Sequence, residues 1–399
     1  MSQRLVSLNA DLSLLRANGY DVAIGTSKHL LVREVPYVNS AKQVKRGTIL
    51  SDLDLAGETT VPPKSHVVFF VGEYPCNEDG SPLPGVSQNT NQPLGDGLTP
   101  NHQISRKPTT GSTPGKYQSY YDKLTTYIAI VSSPAQAIDP TATAVTNPVV
   151  VPDDDESVFN YLDTAATKAG IVVANNKLEG RKVAIIGVGG TGSYVLDLVA
   201  KTPVAEIHIF DGDIFLNHNA FRCPGAPSLD DLSKKQKKVD YLAANYSRMH
   251  KHIIGHDCFV NEDTIEQLKG NTFAFLCLDK GTGKQLIVEK LEEWGLPFID
   301  VGMGIQLGDD NTLGGIATVT ASTPSKRGHL RKRVAFADGE AADEYSRNVQ
   351  IAEINALNAA LAVIKWKKLC GYYDDVTKEH WCAYTIRSNQ LISEDLHEA

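Results

Sequence analysis

The chain has 399 residues, 42% apolar and 22% charged, a balance that supports buried cores and excludes an intrinsically disordered chain. That length is too great for one ordinary core and fits two domains, with a boundary expected near residue 150. The formal charge of −8 is uneven: residues 1–150 carry 12 Lys/Arg against 12 Asp/Glu, leaving 27 against 35 for residues 151–399, and an acidic second half argues against general nucleic-acid binding.

In chain order, Leu5 to Leu15 has helical spacing, without the charged start and unbroken apolar run of a signal peptide. Tyr20 to Tyr37 reads as two strands around a Gly25–Lys28 turn, and Val67 to Tyr74 as another strand. Seven prolines and six glycines in the 42 residues from Pro75 to Lys116 predict irregular loop. Tyr117 to Ser132 reads as a short helix running into a strand over Thr126–Val131. Pro134, Pro140, Pro148 and Pro152, followed by Asp153 to Glu156, read as a linker.

Beyond residue 150, strands and helices alternate: strands near Lys182–Gly187, Glu206–Phe210, Phe273–Leu278, Pro297–Val301 and Gly314–Ala321, with helices at Thr191–Lys201, Lys237–Met249 and Lys284–Trp294. A long helix over Asn348–Lys368 would carry Ile351, Ile354, Leu357, Leu361 and Ile364 on one face. This alternation predicts an α/β fold, a doubly wound and mostly parallel sheet, behind a smaller strand-rich N-terminal domain. No apolar run is long enough to span a bilayer, and six cysteines without C-x-x-C spacing predict neither a structural zinc nor a disulfide framework. A reduced, cytoplasmic enzyme with no membrane partner is the expected class.

The chemistry concentrates between residues 183 and 284. Val183 to Ser193 is a strand, a turn with Gly187, Gly189, Gly190 and Gly192, and a helix start, which suits a phosphate on helix N–H groups or is simply a tight turn. Asp211 and Asp213 end the second strand, where an acidic side chain suits ribose hydroxyls. An NAD-dependent oxidoreductase explains the motif equally well to this point. Asn219, Arg222 and the Lys234–Lys238 run follow, and such a cluster suits charge building on a triphosphate better than a dinucleotide. Asp279 closes a buried strand on the same sheet edge, a position suited to holding Mg²⁺ between phosphates.

These residues together resemble the ubiquitin-activating-enzyme-like adenylyltransferases, the ThiF/HesA/MoeB family, over residues of about 155–385. The matching pieces are Gly187-x-Gly189-Gly190-x-Gly192-Ser193, Asp211-x-Asp213, Asn219-x-x-Arg222, Lys238-Val239 and Cys277-x-Asp279, with Lys284 five residues on. The resemblance implies ATP and Mg²⁺ as cofactors, Asp211 on the ribose, Asn219, Arg222 and Lys238 on the phosphates, and Asp279 on the metal. It also implies a homodimer and, as partner, a ubiquitin-like or sulfur-carrier protein with a C-terminal glycine, with a conjugating enzyme as a further partner. The implied reaction is adenylation of that protein's C-terminal carboxylate, with an optional thioester step. A non-catalytic family member acting as a binding scaffold is a further alternative.

The chain departs from the family in three places. It lacks the C-x-x-C pairs, it has no arginine in Phe159–Lys168, and it has no cysteine in Ser322–Arg347. The basic run Lys326–Arg333, with five positive charges in eight residues, reads either as a solvated loop or as a mobile segment closing on phosphates or on an acidic partner. For a thioester nucleophile the expectation is Cys382 or Cys370, taken as tail and helix-end residues free to swing, with Cys223 next and Cys277 as core. Cys76 is the one acceptor candidate in the first 150 residues, whose expected role is recognition of a protein partner.

Overall fold

The computed structural model describes residues 3–88, 93, 97–110, 113–152, 157–278, 282–334, 336 and 349–393. The chain divides into two units, Met1–Ser157 with Tyr161–Val172, and Val158–Asn160 with Val173–Ala399. Among the described residues no helix is long and apolar enough to cross a membrane.

The first unit opens with two helices, α1 (Gln3–Leu8) and α2 (Ala10–Ala17), where the spacing suggested one. Buried Asn9 makes the break: its side chain donates to the carbonyls of Leu5 (2.7 Å) and Glu58 (2.9 Å) and accepts from the Thr60 N–H (2.7 Å). A side chain that offers backbone groups such partners competes with the helix ladder. β1 (Asp21–Ile24) and β2 (His29–Val38) form the expected hairpin, followed by β3 (Val44–Asp52), the small ladder of β4 (Leu55–Ala56) and β5 (Thr59–Thr60), and β6 (Val67–Val71). β7 (Val86–Gln88) and β8 (His102–Ser105) come from the stretch expected to be loop and complete an antiparallel sheet of order β1-β2-β3-β6-β8-β7. β9 (Thr109–Thr110) and β10 (Thr113–Pro114) pair with each other.

The strand expected over Thr126–Val131 is instead the middle of α3 (Tyr120–Ile138). Its β-branched residues favour a strand locally, yet Tyr120, Leu124, Tyr127, Ile128, Val131 and Ala135 repeat with helical period, and all six are buried. Ser119 caps the helix by accepting from the Asp122 N–H, and Pro134 lies within the last two turns rather than in a linker. α4 (Thr164–Lys168) and α5 (Val172–Asn175) follow; the acidic stretch 153–156 lies outside the described residues.

The second unit is an eight-stranded sheet of order β13-β12-β11-β14-β15-β16-β17-β18. β11 (Lys182–Ile186), β12 (Glu206–Phe210), β13 (Ile253–His256), β14 (Phe273–Leu276) and β15 (Phe298–Leu307) run parallel, and β16 (Leu313–Ser322), β17 (Trp381–Thr385) and β18 (Gln390–Ser393) continue antiparallel. From Val183 to Ile186 β11 is apolar because both its faces are covered: Val183 and Ile185 enter one core, Ala184 and Ile186 another. The helices are α6 (Gly190–Val199), α7 (Asn217–Ala220), α8 (Leu229–Ser233), α9 (Lys238–Tyr246), α10 (Thr282–Glu293), α11 (Leu330–Arg333) and α12 (Ala352–Leu369). The chain leaves β11 toward β12 on one side and later returns to β14 on the other. That is a topological switch point, and it opens a crevice at the carboxyl ends of the strands.

α12 does not bury the face its sequence suggested. Asn355, Asn358, Ala359, Ala362, Val363 and Trp366 are buried, whereas Ile354, Leu357 and Leu361 are half-buried and Ile364 is 43% exposed. Small and polar residues let the helix lie close against α6, and Trp366 fills the space beside Phe273 and Phe275.

One buried charge in the first unit yields a prediction. The Lys123 ammonium, with no exposed surface, donates to the Ser51 hydroxyl at 2.8 Å, and burial lowers its pKa from 10.5 to about 8. Between those two values the unfolded chain holds the proton and the folded one has released it, so stability rises as pH climbs through that window. Lys123→Met should remove this slope and stabilise the unit by about 1–3 kcal/mol at pH 7. Urea denaturation at pH 7 and pH 10 measures both effects, and a variant less stable than the parent at pH 7 would contradict the account.

Candidate functional site

The crevice is a cleft of about 220 Å³ lined by the glycine turn, the ends of β11, β12, β14 and β15, and Asp211, Asp213, Arg222, Lys238 and Gln350. Each glycine has its own reason. Gly187 has φ +85°, and a Cβ there would lie 2.6 Å from the Cys277 carbonyl oxygen. A Cβ on Gly192 would lie 1.9 Å from the Gly187 carbonyl oxygen, so only glycine lets α6 pack onto the turn. A Cβ on Gly190 would fall 2.3 Å from the Asn355 amide nitrogen. At Gly189 a Cβ would meet nothing within 4 Å, and this glycine lines the cleft.

Asp211, at the end of β12, is 7% exposed. One carboxylate oxygen accepts the Val188 N–H at 3.0 Å and the other the Asp213 N–H at 2.9 Å. The Lys238 ammonium, equally buried, sits 3.3 Å from Asp211 and 2.6 Å from the half-exposed Asp213 carboxylate. Lys238 opens α9, and its N–H donates to the Asp213 carbonyl. The short helix α7 presents Asn219, and Arg222 follows two residues past its end. Asn219 accepts the Leu216 N–H at 2.9 Å, whereas its own Nδ2 and the Arg222 Nε are buried without an acceptor among the described residues. Donors left over in a polar cleft are what an anionic ligand satisfies.

The cleft thus brings together Gly187, Gly189, Gly190, Asp211, Asp213, Arg222 and Lys238. Gly192 and Asn219 are not among its lining residues. Asp279 lies outside the described residues; Leu278 before it lines the cleft. Lys284 turns away into a buried pair with Asp300 at 2.5 Å, where burial pushes the Asp300 carboxyl up against the opposing pull of the ammonium. Sequence reading missed Phe259 and Gln350 on the cleft, and Asn355 behind it. Phe259 sits in a non-periodic stretch, and Gln350 and Asn355 fall in a helix expected over Asn348–Lys368 and read by its aliphatic stripe; in the structure that helix begins only at Ala352.

The cysteines correct one expectation. Cys382 is no tail residue: it sits in β17 between β16 and β18, opposite Val319 and Ser393. Cys370 caps α12. Burial pushes both thiols up to about 11, and it raises Cys223 despite the neighbouring Arg222. Cys277 is raised further still, and Cys76 is buried with its thiol toward the Tyr74 carbonyl. A thiol so raised is almost wholly protonated near neutral pH and a poor nucleophile.

The basic run is likewise held in place. The Arg333 guanidinium lies 3.8 Å over the Trp381 ring, Arg331 lies over Phe336 and 3.5 Å from Glu292, and Leu330, just before them, is buried. None of residues 326–333 lines the cleft. Among the described residues no three His, Cys, Asp or Glu side chains are grouped to hold a metal ion.

The glycine geometry separates packing from binding. Gly192→Ala should cost more than about 3 kcal/mol, because backbone must move. Gly189→Ala has open space for its methyl but a backbone (φ −71°, ψ −133°) outside the α and β regions, so it should cost only the strain of that conformation, about 1–2 kcal/mol. Thermal denaturation of the two variants checks both, and equal losses would refute the distinction.

Comparison with known proteins adds the family. A model described as a domain of unknown function (DUF6791) matches residues 10–164, and the ThiF family model matches residues 165–380. No curated protein matches. Among solved structures, selenomethionine PaaA is 20% identical with a TM-score of 0.45, over 57% of this chain and 67% of that one. E. coli MccB crystallised with ATP is 20% identical with a TM-score of 0.47, over 58% and 69%, and the same enzyme with MccA-N7isoASN is 18% identical at 0.47, over 59% and 70%. The family match spans more than half of the chain and includes every described residue of the cleft: the chain belongs to the ThiF family.

Proposed function

We propose that the chain is an ATP-dependent adenylyltransferase acting on the C-terminal carboxylate of a ubiquitin-like or sulfur-carrier protein. The observation that carries this reading is the pair of unpartnered buried donors, Asn219 Nδ2 and Arg222 Nε, beside the glycine turn and Lys238. A nicotinamide dinucleotide would leave that cation cluster without work. In the proposed reaction a carboxylate oxygen bonds to the α-phosphorus, the bond to the bridging oxygen breaks, and pyrophosphate leaves with the electron pair. Turn N–H groups at the start of α6, Arg222 and Lys238 stabilise the charge that develops, and Asp211 accepts from the ribose.

Mg²⁺ is the expected companion of the triphosphate, where it would neutralise charge between phosphates. Asp211 and Asp213 are both committed to Lys238, so the described carboxylates alone do not make a metal site. Asp279 is the ligand we propose. The thioester step is left out of the proposed reaction, because Cys382 is held in β17 between two strands and burial raises both the Cys370 and the Cys382 thiols. Residues 1–150 are proposed as the recognition domain for the carrier or for a conjugating enzyme. A homodimer through the half-exposed aliphatic stripe of α12 completes the reading, and light scattering at micromolar concentration should give twice the chain mass.

ATP–pyrophosphate exchange in the presence of candidate carrier proteins tests the activity. Arg222→Ala should lower exchange by about 10²–10³-fold, the usual loss for a group that stabilises transition-state charge, with an unchanged melting temperature. Calorimetry in which NAD binds more tightly than Mg-ATP would sink the reading.

A further inference from the structure

Two asparagines one turn apart on α12 reach two walls of the cleft. Both have no exposed surface. Asn355 Oδ1 accepts the Thr191 hydroxyl at 2.8 Å, and Asn358 Nδ2 donates to the Gly302 carbonyl at 2.9 Å. Thr191 belongs to the first turn of α6 and Gly302 to β15, and both line the cleft. The Asn355 Nδ2 is buried without an acceptor among the described residues and occupies the space where a Cβ on Gly190 would fall, while Gln350 Oε1 approaches the same point. An aliphatic side chain at either position would bring no polar atom of its own, but would leave the Thr191 hydroxyl or the Gly302 carbonyl without its partner. Asparagine stands at both places although its second polar atom has no partner there among the described residues, and a buried unpaired group costs stability.

We propose that Asn355 is a positioning residue of the nucleotide cleft, with Asn358 as its counterpart on β15; the inference rests on the nucleotide reading above. By fixing the Thr191 hydroxyl, Asn355 sets the rotation of the first turn of α6, and so the direction in which the turn N–H groups point at a phosphate. Asn358 fixes the opposite wall against the same helix, so α12 sets the gap between them. Neither side chain touches the ligand. Their effect is geometric, and small displacements of positioned groups cost affinity and rate out of proportion to their size.

The test uses the full chain with Mg-ATP as the probe. Asn355→Ala and Thr191→Val should each raise the KM for ATP in exchange about tenfold, with kcat changed less than threefold. The double variant should be no worse than either single one, because both remove the same bond. Thr191→Ser, which keeps the hydroxyl, should retain parental KM. A parental KM in Asn355→Ala, or multiplicative losses in the double variant, would overturn the positioning role while leaving the nucleotide reading intact. Failure of the parent chain to bind Mg-ATP would instead overturn that reading, and the positioning role with it. The contact itself has a separate readout: Gly190→Ala should lower the melting temperature, and adding Asn355→Ala should recover part of the loss. No recovery would show that Asn355 does not occupy the space beside Gly190, and would overturn the proposal.

Discussion

The Asp211 carboxylate is the point on which the second unit's cleft is hung. It stands at the end of β12, receives the Val188 N–H from the glycine turn after β11, receives the Asp213 N–H from the loop that leaves its own strand, and faces the ammonium that opens α9. Three segments, the glycine turn, the end of β12 and the start of α9, separated by 23 and 27 residues, are thereby fixed around one small anion. A carboxylate this buried is tolerable because two backbone donors and a cation compensate its desolvation. Loss of the cation would leave an uncompensated charge in a place where relaxation is confined by the sheet.

The turn itself is constrained from the opposite direction, by contact rather than by charge. Gly192 lies against the Gly187 carbonyl and Gly187 against the Cys277 carbonyl, so β11, β14 and α6 meet with no side chain between them. Close approach aligns the start of α6 with the strand end, and the N–H groups of that first turn have no intrahelical partner. Electrostatics from Asp211 and sterics from the glycines therefore act on the same few residues. The open space at Gly189 is what remains once both have been satisfied.

Much of this was legible in the sequence because it is local. A strand, a glycine turn, a helix start and an acidic strand end occupy about thirty consecutive residues, and each follows from propensity or from the conformation glycine allows. What could not be read depended on partners distant in the chain. α3 looked half like a strand because its β-branched residues favour one; its helical period decides only once a sheet is present to bury Tyr120, Leu124 and Tyr127. β3 went unnoticed because Lys45, Arg46 and Gly47 interrupt it, and the Phe70 ring that lies over Gly47 comes from β6. Cys382 read as a tail residue because nothing in Trp381–Thr385 announces pairing on both sides. Arg331 and Arg333 read as free charge because their aromatic partners, Phe336 and Trp381, are visible only in the fold.

The buried face of α12 is the instructive failure. Aliphatic periodicity identifies a helix reliably, but it identifies the buried face only when the neighbour across the contact is also a plain apolar surface. Here the neighbour is the first turn of α6 and a strand whose Gly302 carbonyl needs a donor. A leucine at position 355 or 358 would have to hold α12 farther away and would leave the Thr191 hydroxyl or the Gly302 carbonyl without its partner. Small and polar residues therefore occupy the contact, and the aliphatic stripe is turned aside, with Ile364 largely in solvent. Where a functional cleft forms one wall of a helix–sheet interface, the demand for hydrogen bonding there outweighs the gain from burying the larger side chains.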